Sequence, residues 1–136
     1  METYDVTFPE GVSALGGARR CRICRLAPES TVALLRSLES DLPPLLLGCA
    51  RRACPGVVVE ISADERAALG VDPEGTEETR AFFRLVIPDG DPLSAGFDTS
   101  RLVLTAPTRG TALETSRPGM ALVPLRALND AGPSEA

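Results

Sequence analysis

RAFFRLVIPDGDPLSAGFDTSRLVLTAPTRGTALET, residues 80–115, decides the fold class. Its first eight residues, RAFFRLVI, are rich in aromatic and branched side chains and read as a long central strand. Pro88 and the turn Asp89-Gly90-Asp91-Pro92 end it. Residues 101–106 (RLVLTA) read as the next strand, with Leu102 and Leu104 on one face. Pro107-Thr108-Arg109-Gly110 is a hairpin-type turn into a further strand at 111–115 (TALET). Upstream, VVVEI at 57–61 also reads as a strand. Ser62-Ala63-Asp64-Glu65 follows as a capping box: the Ser62 hydroxyl accepts from the Glu65 N–H, and the Glu65 carboxylate reaches back to the Ser62 N–H. A short α-helix over about residues 63–69 results, stopped by Gly70, with Leu69 and either Ala67 or Ala68 facing inward. Asp72-Pro73-Glu74-Gly75 is a turn.

Nearer the N-terminus, Val6 to Phe8 alternates as an opening strand, ended by the turn Pro9-Glu10-Gly11. Residues 20–26 form a strand with Cys21, Ile23 and Arg25 on one face and Arg22, Cys24 and Leu26 on the other. Residues 31–38 (TVALLRSL) fit two patterns. Leu34, Leu35 and Leu38 make a helical stripe behind a Pro28-Glu29 start, while the same run suits a strand. A short strand at 45–47 sits behind Pro43-Pro44, and 48–56 (GCARRACPG) reads as a loop. At the C-terminal end, Arg117-Pro118-Gly119 turns the chain into a closing strand at 120–123, and 129–136 reads as a disordered tail after a single domain of residues 1–128. About eight short strands and one short helix, punctuated by 12 prolines and 12 glycines, make a mostly antiparallel sheet that curls into a barrel or sandwich.

Composition narrows the chemistry. The chain has 136 residues, 14 basic and 19 acidic, for a net charge of −5. Aromatics are 4% with no Trp, so the core is aliphatic. There is no histidine, which removes His-assisted nucleophiles, His bases and His metal ligands. All 14 basic residues are Arg, so Schiff-base chemistry and a P-loop lysine are excluded as well. A net negative chain is a poor generic binder of nucleic acid. The polar, acidic start METYDVTFPEG does not read as a signal peptide, and the longest apolar run, 42–50, contains two prolines and is too short for a membrane span. The expectation is a cytoplasmic protein with reduced thiols and no direct nucleic-acid, membrane or small-molecule partner.

Three constellations stand out. Cys21 and Cys24 form a C-x-x-C, and Cys49 and Cys54 a C-x4-C; four thiolates suffice for a tetrahedral zinc site. Cys21 and Cys24, however, fall on opposite faces of a strand and lack a knuckle turn, which favours buried thiols acting as small hydrophobes. A zinc-stabilised structural or redox domain is the alternative. Arg19, Arg20, Arg22 and Arg25, joined by Arg51 and Arg52, form a basic cluster read as solvated or paired with acids. Residues 60–78 carry seven acids against one base, Arg66. Glu60, Asp64, Glu65, Glu74, Glu77 and Glu78 of that stretch are the candidate partner-binding residues, facing a basic protein. Carboxylate pairs such as Asp89 and Asp91 lie in solvated turns, so no catalytic residue and no cofactor is expected.

An ordered set of motifs spanning roughly residues 6–125 resembles the FliW family of flagellar assembly factors. Phe8-Pro9-Glu10-Gly11-Val12 resembles the family's F-P-x-G-(I/L) opening, and Leu34-Leu35-Arg36-Ser37-Leu38-Glu39 its W-L-Q-S-L-D/E. VVVEISADERAALGV at 57–71 is similar to the family's strand, capping box and helix. Leu85-Val86-Ile87-Pro88 is similar to I-V-T-I-P, Thr108-Arg109-Gly110 to T-R-x-G, and Val123-Pro124-Leu125 to a closing H-P-L. The resemblance implies a small β-barrel-like domain with one short helix, a strand at 31–37, and no enzymatic activity. It further implies a regulatory protein that binds flagellin and antagonises the translational repressor CsrA, an RNA-binding protein, by partner exchange. Ser13, Leu15, Gly17 and Leu34 stand where the family has Pro, Phe, an acid and Trp. Those replacements define a further alternative, a FliW-fold paralogue with a different protein partner.

Overall fold

The computed structural model describes all residues except Pro28, Pro55, 119–121 and 125–136. Eight strands form: β1 (Glu2–Val12), β2 (Ala18–Arg25), β3 (Val32–Ser37), β4 (Leu45–Cys49), β5 (Arg80–Val86), β6 (Gly96–Ala106), β7 (Thr111–Ser116) and β8 (Leu122–Pro124). They make one sheet in the order β5-β4-β3-β2-β1-β7-β6-β8, and an additional β5–β6 pairing closes the first seven into a barrel. Neighbours run antiparallel except β1 and β7, which meet in parallel at Thr7 and Thr111. The Thr7 N–H donates to the Gly110 carbonyl at 2.9 Å beside that seam. β7 occupies the 101–106 part of β6, and β8 the 96–98 part of the same edge.

Alternation along the strands divides the core in two. Val6 and Phe8, Cys21 and Ile23, Ala33 and Leu35, with Leu47, Phe82, Val103 and Ala112, fill the barrel interior. The next residues along, Phe83, Leu102, Leu104 and Ala106, face outward into a second cluster. That outer face is covered by α1 (Ala50–Ala53) and by the chain that follows it, through Ala53, Cys54, Leu69 and Val71. Burial on both faces explains why Phe82-Phe83 and Leu102-Val103-Leu104 are apolar at consecutive positions rather than alternating with polar residues. Gly48 of β4 lies in this layer, where the Phe97 ring presses onto its backbone.

Several expectations are corrected. The core is not purely aliphatic: all four phenylalanines, Phe8, Phe82, Phe83 and Phe97, are buried in it. Pro9-Glu10-Gly11 does not end the first strand; β1 continues to Val12 through a bulge between Thr7 and Val12. Gly11 takes φ 77° there, and a Cβ on it would stand 2.5 Å from the Gly17 carbonyl oxygen. Residues 31–38 settle as a strand, because pairing with β2 and β4 on either side outweighs the helical stripe. Residues 57–61 are not a strand: closure leaves both edges of β4 and β5 occupied, so this run has no ladder to join. The 48–56 loop holds the single turn α1, giving two short helices rather than one. The second, α2 (Ala63–Ala68), has the expected capping box, with Glu65 N donating to Ser62 Oγ at 3.1 Å and Ser62 N to Glu65 Oε1 at 3.0 Å. Only Leu69 turns inward after it; Ala67 and Ala68 are exposed. The tail at 129–136 lies outside the described residues.

Candidate functional site

The acidic stretch is less free than its composition suggests. Arg117 donates from Nη1 and Nη2 to the two Glu65 carboxylate oxygens, each at 2.8 Å, and from Nη2 to the Glu60 carbonyl at 2.9 Å. Arg109 grips Glu77 at 2.8 and 3.0 Å, joined by the Thr108 hydroxyl. Arg80 Nε donates to Glu78 at 2.7 Å. Of the six candidate acids, Glu60, Asp64 and Glu74 alone keep exposed side chains without an ion pair among the described residues. Arg66, the one base in the stretch, is a hub. It donates to the carbonyls of Asp72, Gly75 and Glu77 and to the Thr79 hydroxyl, which fixes the loop that carries the acids.

Hydrogen bonds from Arg117, and one from the Ser62 N–H, hold the Glu65 carboxyl down at about 2 from its ordinary 4.5, against an upward push from burial. Arg109 likewise lowers Glu77. A depressed folded-state pKa gives stability that is present above the unfolded value and lost as pH falls through the folded one. The native protein is therefore expected to lose about 1–2 kcal/mol between about pH 5 and about pH 2 through Glu65, discounted for solvent screening. Urea midpoints at the two pH values check this. Glu65→Gln, less stable at the higher pH, should show a flatter dependence.

The cysteines do not converge. Cys21 lies in the barrel interior and Cys54 in the outer cluster, and Cys24 and Cys49 are half-buried. Among the described residues no group of three or more Cys, Asp or Glu is placed to hold a metal ion. Burial pushes the Cys21 thiol up to about 11 and raises Cys54, the opposite of what a thiolate ligand or nucleophile requires.

A feature that the sequence reading missed is the mouth of the barrel. The interior-facing positions at one end are Glu2 and Tyr4 of β1, Arg25 of β2, Cys49 of β4, Arg80 of β5 and Thr105 of β6. Tyr4 Oη and Thr105 Oγ1 are 3.1 Å apart, and the Arg80 guanidinium stacks 5.2 Å from the Tyr4 ring centroid. Burial raises the Tyr4 phenol above its ordinary pKa, partly offset by the Thr105 hydrogen bond. Glu2 Oε1 accepts from Arg80 Nη1 at 3.0 Å and stands 3.7 Å from Arg25 Nε. Above this polar floor opens a cleft of about 700 Å³, walled by α1 and by the 57–61 segment.

These elements define a closed seven-stranded β-barrel whose surface presents an acidic loop face and an arginine-lined mouth. No protein-family model matches the chain, and no curated protein sequence does. The fold is similar to the crystal structure of the flagellar assembly factor FliW, with a TM-score of 0.70 at 9% identity, over 88% of this chain and 81% of that one. The FliW-like barrel expected from the motifs is thus the architecture observed. No helix among the described residues is long and apolar enough to cross a membrane.

Proposed function

We propose that this chain is a cytoplasmic, non-enzymatic regulatory protein of FliW type that binds flagellin and antagonises the translational repressor CsrA. The observation that carries the reading is the likeness of the whole barrel to the flagellar assembly factor FliW. The ordered motifs from Phe8 to Leu125 support it independently. The exposed carboxylates of Glu60, Asp64 and Glu74 suit a cationic RNA-binding partner, for which complementary charge mainly speeds encounter. Calorimetry of the purified chain against the flagellin and the CsrA of the same cell tests the proposal. Binding to both, mutually exclusive and weakened by salt in the CsrA case, is the expected result. Binding to neither overturns it and leaves a FliW-fold paralogue with another protein partner.

A further inference from the structure

Three of the six arginines singled out in the sequence, Arg25, Arg51 and Arg52, meet Arg80 at the barrel mouth, while Arg22 pairs with Asp5 away from it, and nothing in the FliW-type reading uses the mouth. Among the described residues, Arg25, Arg51, Arg52 and Arg80 line the cleft against two carboxylates, Glu2 and Glu78. The mouth is therefore locally cationic in a chain of net charge −5. Arg25 is the telling member. It is 7% exposed, its Nε has no hydrogen-bond partner, and the one nearby carboxylate, Glu2, already receives a hydrogen bond from Arg80. A buried guanidinium with so little compensation is costly, and an incoming anion relieves that cost.

The opposite wall adds a second, independent observation. Val57, Val59 and Ile61 line the cleft, while Val58, 82% exposed, and Glu60 face solvent. That is the alternation of a β-strand, in a segment of high β-propensity that joins no ladder. Among the described residues no hydrogen bond involves the main chain of Val58, Val59 or Ile61. The Val57 N–H donates to the Cys54 carbonyl and the Glu60 carbonyl accepts from Arg117, but the rest of this main chain is unpaired among the described residues. A largely unpaired edge of this kind recognises an extended chain through its backbone, with side-chain pockets at alternate positions supplying selectivity.

We infer that the barrel mouth is a docking site for an acidic peptide segment in extended conformation, which pairs with residues 57–61 and directs its carboxylates onto Arg25, Arg51, Arg52 and Arg80. A free inorganic anion would engage the arginines and leave the apolar wall and the main-chain edge unused. Nucleic acid is disfavoured because the mouth has one aromatic ring, Tyr4, already covered by Arg80. The inference goes beyond flagellin and CsrA and does not depend on either of them.

Fluorescence anisotropy on the full chain tests it, with a labelled eight-residue peptide alternating glutamate and valine as probe. A lysine-valine peptide and inorganic phosphate serve as the comparison arms. Binding of the acidic peptide alone is expected, weakening as salt rises. Arg25→Met should weaken it about tenfold while leaving the melting temperature unchanged or higher, since the substitution removes a poorly compensated buried charge. The exposed pair Arg51→Glu and Arg52→Glu should weaken it likewise without disturbing the fold. Hydrogen exchange at residues 57–61 should slow when the acidic peptide is added. Equal binding of the lysine-valine peptide, indifference to all three substitutions, or phosphate competition with no protection at 57–61 would each overturn the proposal. Retention of CsrA or flagellin binding by Arg25→Met would separate this site from the surface that serves those partners.

Discussion

Gly48→Val is expected to lower the unfolding free energy by about 3 kcal/mol, the largest loss foreseen for a single substitution outside the barrel interior. Gly48 pairs with Val32 on one side and Phe83 on the other, so its backbone is fixed in the middle of the sheet. A Cβ there would stand 2.2 Å from Phe97 Cε1 and 2.7 Å from both Cδ1 and Cζ. Phe97 is fully buried in the outer cluster with Phe83, Leu102 and Leu104, so the ring has nowhere to go. Its strand is pinned as well, with Phe97 opposite Leu85 and Val123. Either the ring leaves its rotamer or β4 and β6 part. Phe97→Ala opens space but leaves a cavity. The two changes together should therefore cost at least about 1 kcal/mol less than their sum. Urea denaturation of the four proteins measures this; strict additivity would refute the contact.

Arg66→Met should cost about 2 kcal/mol and release the loop between Gly70 and Thr79. The guanidinium meets three carbonyl oxygens and one hydroxyl at 3.1 to 3.4 Å, gathered from residues 72, 75, 77 and 79. Methionine keeps the apolar stem and removes every donor. The carbonyls can turn to water, so the loss falls well below the sum of four charge-assisted bonds. What water does not replace is the convergence. The Gly75 turn, held by its N–H to Asp72 O at 3.0 Å, would remain, but its anchor to α2 would not. Faster hydrogen exchange over residues 72–79, with the barrel strands still protected, is the expected pattern. Exchange unchanged in that loop would show that Arg66 does not organise it. The same variant would free the Gly75 and Glu77 carbonyls and should blur the acidic face.

Local chemistry was legible in the sequence, and distant pairing was not. The strand centres within 80–115 were readable because their turns carry Pro and Gly at the ends of apolar runs, but β6 begins at Gly96, five residues before the expected Arg101, where Gly-Phe-Asp-Thr-Ser gives no strand pattern. The capping box was readable because all of its atoms lie within four residues. VVVEI at 57–61 misled because β-propensity reports how a side chain suits a pleated surface, and says nothing about whether an edge is open. The 20–26 strand looked mixed on both faces because its inward face runs Cys21, Ile23, Arg25 and ends in a charge at the barrel mouth. The acids were overcounted as free because Arg109 and Arg117 reach Glu77 and Glu65 from 32 and 52 residues away. The cleft had no signal of its own: Glu2, Arg25, Cys49 and Arg80 become neighbours only on closure. The strand at 31–37 came from family resemblance, where the residues alone left helix and strand open.

The parallel β1–β7 seam has a consequence for how the chain is made. During synthesis β1 must wait for β7, about a hundred residues later in the chain, before the ring can shut. Until then β1 offers a bare rim to any passing strand. Vectorial synthesis thus leaves this molecule with a long interval of exposure, and a product cut short before Thr111 would carry that sticky rim permanently.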